Sequence, residues 1–162
     1  MTTFVLVHGA WHGGWCYKRV ARLLRQAGHD VYTPTLTGLG ERAHLMNRAI
    51  ALDTHVQDIV GVIRCEELSD VVLCGHSYGG MVITGVAEQM AAKIRSLVYL
   101  DAFVPENGKC LFDYLPASNR AKCVTTPRRT AKVTRSRPFR RLSSPSTPGT
   151  PLGSMRCASS SR

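Results

Sequence analysis

The chain reads as an α/β protein built on a doubly wound parallel sheet, and three features predict it. Its strand-length runs, Phe4-Val5-Leu6-Val7, Val71-Val72-Leu73-Cys74 and Ser96-Leu97-Val98-Tyr99-Leu100, are continuously apolar rather than alternating, as strands buried on both faces are. Between these runs lie stretches whose apolar residues recur at helical spacing. The second run also passes straight into Gly75-His76-Ser77-Tyr78-Gly79, a tight turn that opens a helix. Strands alternating with helices in this way imply right-handed crossovers and a sheet covered on both sides.

Phe4 to Val7 is the first strand, stopped by Gly9. Tyr17, Val20, Leu24 and Ala27 then fall on one helical stripe, with Gly28 placed as a C′ glycine. Asp30-Val31-Tyr32-Thr33 before Pro34 gives a second strand, and Thr37-Gly38-Leu39-Gly40 a loop. Val56, Ile59, Val60 and Ile63 form an i, i+3, i+4, i+7 stripe, with Asp53 or Thr54 placed to cap it. The Val71 to Cys74 strand, a helix from about Gly79 to Gln89 and the Ser96 to Leu100 strand ending at Asp101 complete the pattern. Sites on such sheets lie at the carboxyl ends of the strands, where Ser77, the His8-Gly9-Ala10 loop and Asp101 all fall.

After about Asn119 the periodicity stops. Residues 1–119 hold 10 Lys and Arg against 11 Asp and Glu, whereas residues 120–162 hold 11 Lys and Arg and no acid, so the net charge of +10 belongs to the tail. Those last 43 residues include 14 Ser or Thr and 5 Pro, a composition that cannot offset chain entropy and is expected to be disordered. The abrupt shift also looks like the product of a changed reading frame in a GC-rich gene. Two segments are therefore expected, an ordered domain over 1–119 and a basic tail over 120–162. Only Phe139 interleaves the tail's charges with an aromatic ring, which argues against a nucleic-acid arm.

The six cysteines show no C-x-x-C spacing, so neither a disulfide framework nor a zinc site is indicated. Met1-Thr2-Thr3 enters a short strand directly, without a basic leader or an apolar run long enough for a signal or a span. A reducing cytoplasm and no membrane partner are the expectations.

Gly75-His76-Ser77-Tyr78-Gly79 carries the chemistry. A Gly-x-Ser-x-Gly turn between strand and helix forces the serine into a strained backbone and leaves its hydroxyl exposed, with small residues on either side making room. The six histidines are His8, His12, His29, His44, His55 and His76, and none follows Ser77. In this motif's usual order the general base comes last. His76 is expected to pack beside the sheet, because neighbours on a tight elbow point apart, and His8 and His12 to shape the loop after the first strand. Asp101 has no histidine to orient and reads as a cap or solvated position. Gly9, Gly13 and Gly14 lack the Gly-Lys-Ser/Thr or G-x-G-x-x-G context of a phosphate loop.

Val7-His8-Gly9-Ala10-Trp11-His12-Gly13-Gly14-Trp15, followed by Gly75-His76-Ser77-Tyr78-Gly79-Gly80, resembles the α/β-hydrolase superfamily. Within it the chain is most similar to the plant methylesterase and hydroxynitrile lyase group and its bacterial esterase relatives. Tyr99-Leu100-Asp101-Ala102-Phe103-Val104-Pro105 is similar to the segment leading into that group's cap. The resemblance covers roughly residues 3–118 and implies an incomplete α/β-hydrolase fold of about four strands. It implies Ser77 as nucleophile, the backbone N–H groups of Ala10 and Tyr78 as oxyanion hole, His8, Gly9 and Trp11 at the pocket, no metal or cofactor, and a small-molecule ester as substrate. The family's acid and histidine would follow two further strands, which this sequence lacks, so the chain is expected to be inactive or nearly so. A lyase of the same fold is the first alternative, although Gly9 stands where that branch has a hydroxyl residue. A non-catalytic binding protein is the second, and a chain that forms no stable protein the third.

Overall fold

The computed structural model describes residues 1–116. The basic tail and its expected disorder lie outside the described residues. Four parallel strands form one sheet in the order β2-β1-β3-β4, with β1 at Thr3–Val7, β2 at Asp30–Tyr32, β3 at Val71–Ser77 and β4 at Ile94–Ala102. Three helices cross between them, α1 at Lys18–Gln26, α2 at Leu52–Cys65 and α3 at Gly79–Met90.

Strand alternation divides the core in two. Val5, Val7, Val71 and Leu73 face one side and pack against Val56, Ile59, Val60 and Ile63 of α2 and Met81, Val82, Ile83 and Val86 of α3. Leu6, Val31 and Cys74 face the other side and meet Tyr17 and Ala21 under α1. The sheet is thus covered on both faces over β1 and β3, whereas no residue of β4 is buried and its Val98 and Leu100 stand exposed, contrary to the expectation from its apolar run.

Local chemistry sets the ends of the elements. Gly28, at φ +82°, terminates α1, with its N–H donated to Arg25 O and the His29 N–H to Leu24 O, the bond pair of a Schellman motif. Two expectations are corrected. Val20 is 48% exposed, and the buried stripe of α1 instead runs through Tyr17, Ala21 and Leu24, because the Tyr17 hydroxyl donates to Val7 O at 3.1 Å and fixes the helix's rotation. Neither Asp53 nor Thr54 is the N-cap of α2: Ala51 holds that position, and the Thr54 hydroxyl accepts the Ala51 N–H from inside the first turn at 3.3 Å. Strand β4 is longer than its apolar run, continuing through Asp101 to Ala102.

Candidate active site

At the carboxyl end of β3 the chain turns sharply at Ser77 and enters α3 two residues later. Ser77 sits at φ +53°, in the left-handed region, which costs an L-residue about 1–2 kcal/mol. Its strain is held by close packing. A Cβ at Gly75 would lie 2.5 Å from Gly79 O, and one at Gly79 would lie 2.6 Å from Val7 O, so neither position admits a side chain. The Phe103 N–H donates to Ser77 O at 3.1 Å and anchors the turn from the side of β4. Tyr78 is the N-cap of α3 and its carbonyl accepts the Met81 N–H at 3.0 Å, so only the amides ahead of Met81 are left without a partner inside the helix.

The loop after β1 abuts this elbow. A Cβ at Gly9 would lie 3.2 Å from Ser77 Cβ and 3.2 Å from His76 Nδ1, so the bare backbone of Gly9 is what keeps the loop beside the serine. The turn closes by donation of the His12 N–H to Gly9 O at 3.3 Å, with Ala10 inside it. His8 is completely buried: its Nε2 accepts the Leu36 N–H at 3.0 Å, which leaves the proton on Nδ1 to be donated to Gly9 O at 2.8 Å. Burial pushes the His8 pKa below the ordinary histidine value, in accord with a neutral ring. One of its nitrogens is thus engaged within the loop and the other by the loop after β2.

Trp11 is 65% exposed at the loop's tip, while Leu39 is partly buried against the α2/α3 core. His76 alternates onto the α1 side of the sheet, where its ring meets that of His12 at 6.2 Å, and His12 in turn meets Trp15 at 5.9 Å. Asp101 is exposed, at φ +44°. Among the described residues no group of three or more His, Cys, Asp or Glu could hold a metal ion, and no helix is long and apolar enough to cross a membrane. A groove lined by Lys18, Arg19, Arg22, Arg25 and Gln26 runs along α1 and involves none of these residues.

His55 belongs to no motif of the sequence. It lies on the buried side of α2, with Nδ1 2.8 Å from the Tyr78 hydroxyl and Nε2 2.9 Å from Thr37 O. Burial pushes the His55 pKa down and the Tyr78 hydroxyl well above its ordinary range. A signal was present in the sequence: His55 precedes Ile59 by one helical turn, so it interrupts an otherwise apolar face.

The alpha/beta hydrolase family's sequence profile matches residues 4–156. The carbendazim hydrolyzing esterase of Nocardioides sp. (strain SG-4G) is 66% identical over 116 residues, covering 72% of this chain and 48% of the esterase. The alpha-hydroxynitrile lyase of Arabidopsis thaliana is 35% identical over 104 residues, covering 64% of this chain and 40% of the lyase. Among solved structures, an extracellular alpha/beta-hydrolase from a Paenibacillus species superposes with a TM-score of 0.71 at 35% identity, covering 76% of this chain and 50% of that one. The chain thus spans about half the length of the relatives it matches. With a parallel sheet, a strained serine between two helix-packing glycines and a family profile running through most of its residues, the chain belongs to the alpha/beta hydrolase family.

Proposed function

We propose that Ser77 is the nucleophile of a serine ester hydrolase site, with the backbone N–H groups of Ala10 and Tyr78 as its oxyanion hole. The observation that carries this reading is the backbone of Ser77, an L-residue kept at φ +53° between two glycines that cannot be replaced, a strain with no packing benefit of its own. In the reaction the Ser77 oxygen bonds to the ester carbonyl carbon while its proton passes to solvent water, which returns a proton to the departing alkoxide. The oxyanion rests on the two amides, the alcohol leaves, and water then releases the acid from the acyl-serine. In this reading the two amides meet the developing charge, and one such donor contributes about 10²- to 10³-fold in rate.

The proton is the weak point. His8 has both nitrogens engaged, by Gly9 O and the Leu36 N–H, and the motif's usual base follows the serine in the chain, where the sequence holds no histidine. Turnover by this chain is therefore marginal, limited to the roughly 10³- to 10⁴-fold over water that oxyanion stabilisation and binding leave without a base. A small, largely apolar ester is the substrate class, met by Trp11 and Leu39 with His8 and Gly9 shaping the loop behind them. Carbendazim, named in the esterase 66% identical to this chain, is the specific compound to test. The lyase reading is not carried forward, since the more similar relative is an esterase and position 9 is glycine. A cytoplasmic location and a tail that takes no nucleic acid complete the proposal.

The test is release of p-nitrophenol from p-nitrophenyl acetate, and loss of carbendazim, by the purified 162-residue chain. Slow hydrolysis abolished by Ser77→Ala is expected. Hydrolysis unchanged by Ser77→Ala would remove the serine from the mechanism, and turnover at an ordinary enzymatic rate would reveal a base, which His8→Ala, His12→Ala and His76→Ala would then locate.

A further inference from the structure

We infer that His55 is a positioning residue for the oxyanion-binding turn, holding Tyr78 through a hydrogen bond whose direction its own tautomer fixes; the inference rests on the hydrolase reading above. Nε2 of His55 faces Thr37 O at 2.9 Å, and a carbonyl can only accept, so Nε2 carries the proton. Nδ1 therefore presents a lone pair. The Tyr78 hydroxyl, 2.8 Å away, donates into it.

Thr37 is itself fixed. Its N–H donates to Asp58 Oδ2 at 2.6 Å and its hydroxyl to Asp58 Oδ1 at 2.7 Å, while Arg42 lies 3.9 Å from the same carboxylate. The bonds thus run from α2, through the loop after β2, to the residue that follows Ser77. The residue before Thr37 does the same for the other turn: the Leu36 N–H is given to His8, whose remaining N–H closes onto Gly9 O. Both turns that carry a proposed oxyanion donor are consequently fastened to neighbouring residues of one loop, the Ala10 turn by His8 and the Tyr78 turn by His55.

Packing alone does not account for a histidine here. Val56, Ile59 and Ile63 already fill this face of α2, and an imidazole adds two polar atoms whose burial is tolerable only because both are bonded. Burial keeps the ring neutral and the tyrosine protonated, the two states this bond requires. Without the acceptor the buried Tyr78 hydroxyl is left unpaired, and the shift of the turn that relieves it moves the Tyr78 backbone N–H out of line with the carbonyl oxygen, where hydrogen bonds weaken steeply with angle.

The experiment is single-turnover acylation of Ser77 by p-nitrophenyl acetate in the full 162-residue chain, followed by intact mass, with the Tyr78 amide resonance read in parallel. His55→Leu is expected to slow acylation about tenfold at saturating ester, with little change in the half-saturating concentration, and to move the Tyr78 amide. His55→Gln supplies one donor for Thr37 and one acceptor for Tyr78, and is expected to restore both readouts to within about threefold of the parent. Tyr78→Phe is expected to reproduce the loss, with no further effect when combined with His55→Leu. The inference is overturned if His55→Leu lowers the melting temperature but leaves the acylation rate and the Tyr78 amide unchanged. Should His55→Leu not fold, Tyr78→Phe against His55→Gln decides: equal rates for Tyr78→Phe and the parent overturn it. If the parent chain itself takes no acyl group on Ser77, the hydrolase reading fails, and the Tyr78 amide with its rescue by Gln alone decides the positioning role.

Discussion

Ser77 holds a left-handed backbone that glycine would occupy without strain, and that single conformation separates fold stability from chemistry at this position. Ser77→Gly and Ser77→Ala both delete the hydroxyl, but only glycine relieves the backbone. Ser77→Gly should therefore be more stable than Ser77→Ala by about 1 kcal/mol in urea unfolding. The two buried histidines give a pH dependence whose sign follows from their lowered pKa values. The unfolded chain protonates them near 6.5 while the folded chain resists, so the unfolded state binds more protons as pH falls. Stability should be full above about pH 6.5 and decline as pH falls from there toward the depressed folded values. Glu41 beside His8 and Asp58 beside His55 temper the effect, and His12 adds to it at His8. Urea melts at pH 7.5 and 5.5 would check this, and His55→Gln should flatten the difference. Ser77 was legible because a tight turn writes its requirement for glycine into adjacent positions. His55 showed only as a polar break in an apolar face; its role was not legible, because its partners Tyr78 and Thr37 lie 23 and 18 residues away and only the folded sheet brings them together.

At the scale of elements, α1 shows how far periodicity reaches. The expected stripe Tyr17, Val20, Leu24 and Ala27 and the observed Tyr17, Ala21 and Leu24 share two residues and differ by less than one residue's rotation, which hydrophobicity alone does not resolve. The structure resolves it through the polar end of Tyr17, whose hydroxyl reaches Val7 O. Tyr17→Phe should therefore cost about 1 kcal/mol by leaving a buried carbonyl short of its donor, whereas Val20→Lys, at a 48% exposed position, should stay within about 0.5 kcal/mol of the parent. Thermal melts of the two variants separate these cases. The four strands, their parallel pairing and the helices between them were readable from the alternation of apolar runs, whereas the order β2-β1-β3-β4 was not. The cap of α2 and the length of β4 were not, since both depend on hydrogen bonds made by residues such as Ala51 and Asp101 whose types carry no signal for those positions.

The whole molecule is asymmetric about its sheet. β4 pairs with β3 on one side only among the described residues, with Leu97 and Tyr99 packed toward α3 and Val98 and Leu100, 41% and 50% exposed, facing the α1 side. An unpaired edge strand with exposed apolar side chains invites pairing with another chain, and only Arg95, in a surface ion pair with Asp70, and Asp101 stand near its ends as charged interruptions. Light scattering on a sizing column should show association of the purified chain, and Val98→Lys should reduce it; a monodisperse parent would contradict this. Whatever its state of association, the elbow built by β1, β3 and α3 is complete within the described residues, and the account stands on what its serine does. The most direct measurement is peptide mapping of the chain after exposure to p-nitrophenyl acetate. One acetyl group is expected, on the oxygen of Ser77 and absent from Ser77→Ala. Acetylation confined to lysines or the amino terminus, with Ser77 unmodified, would contradict it.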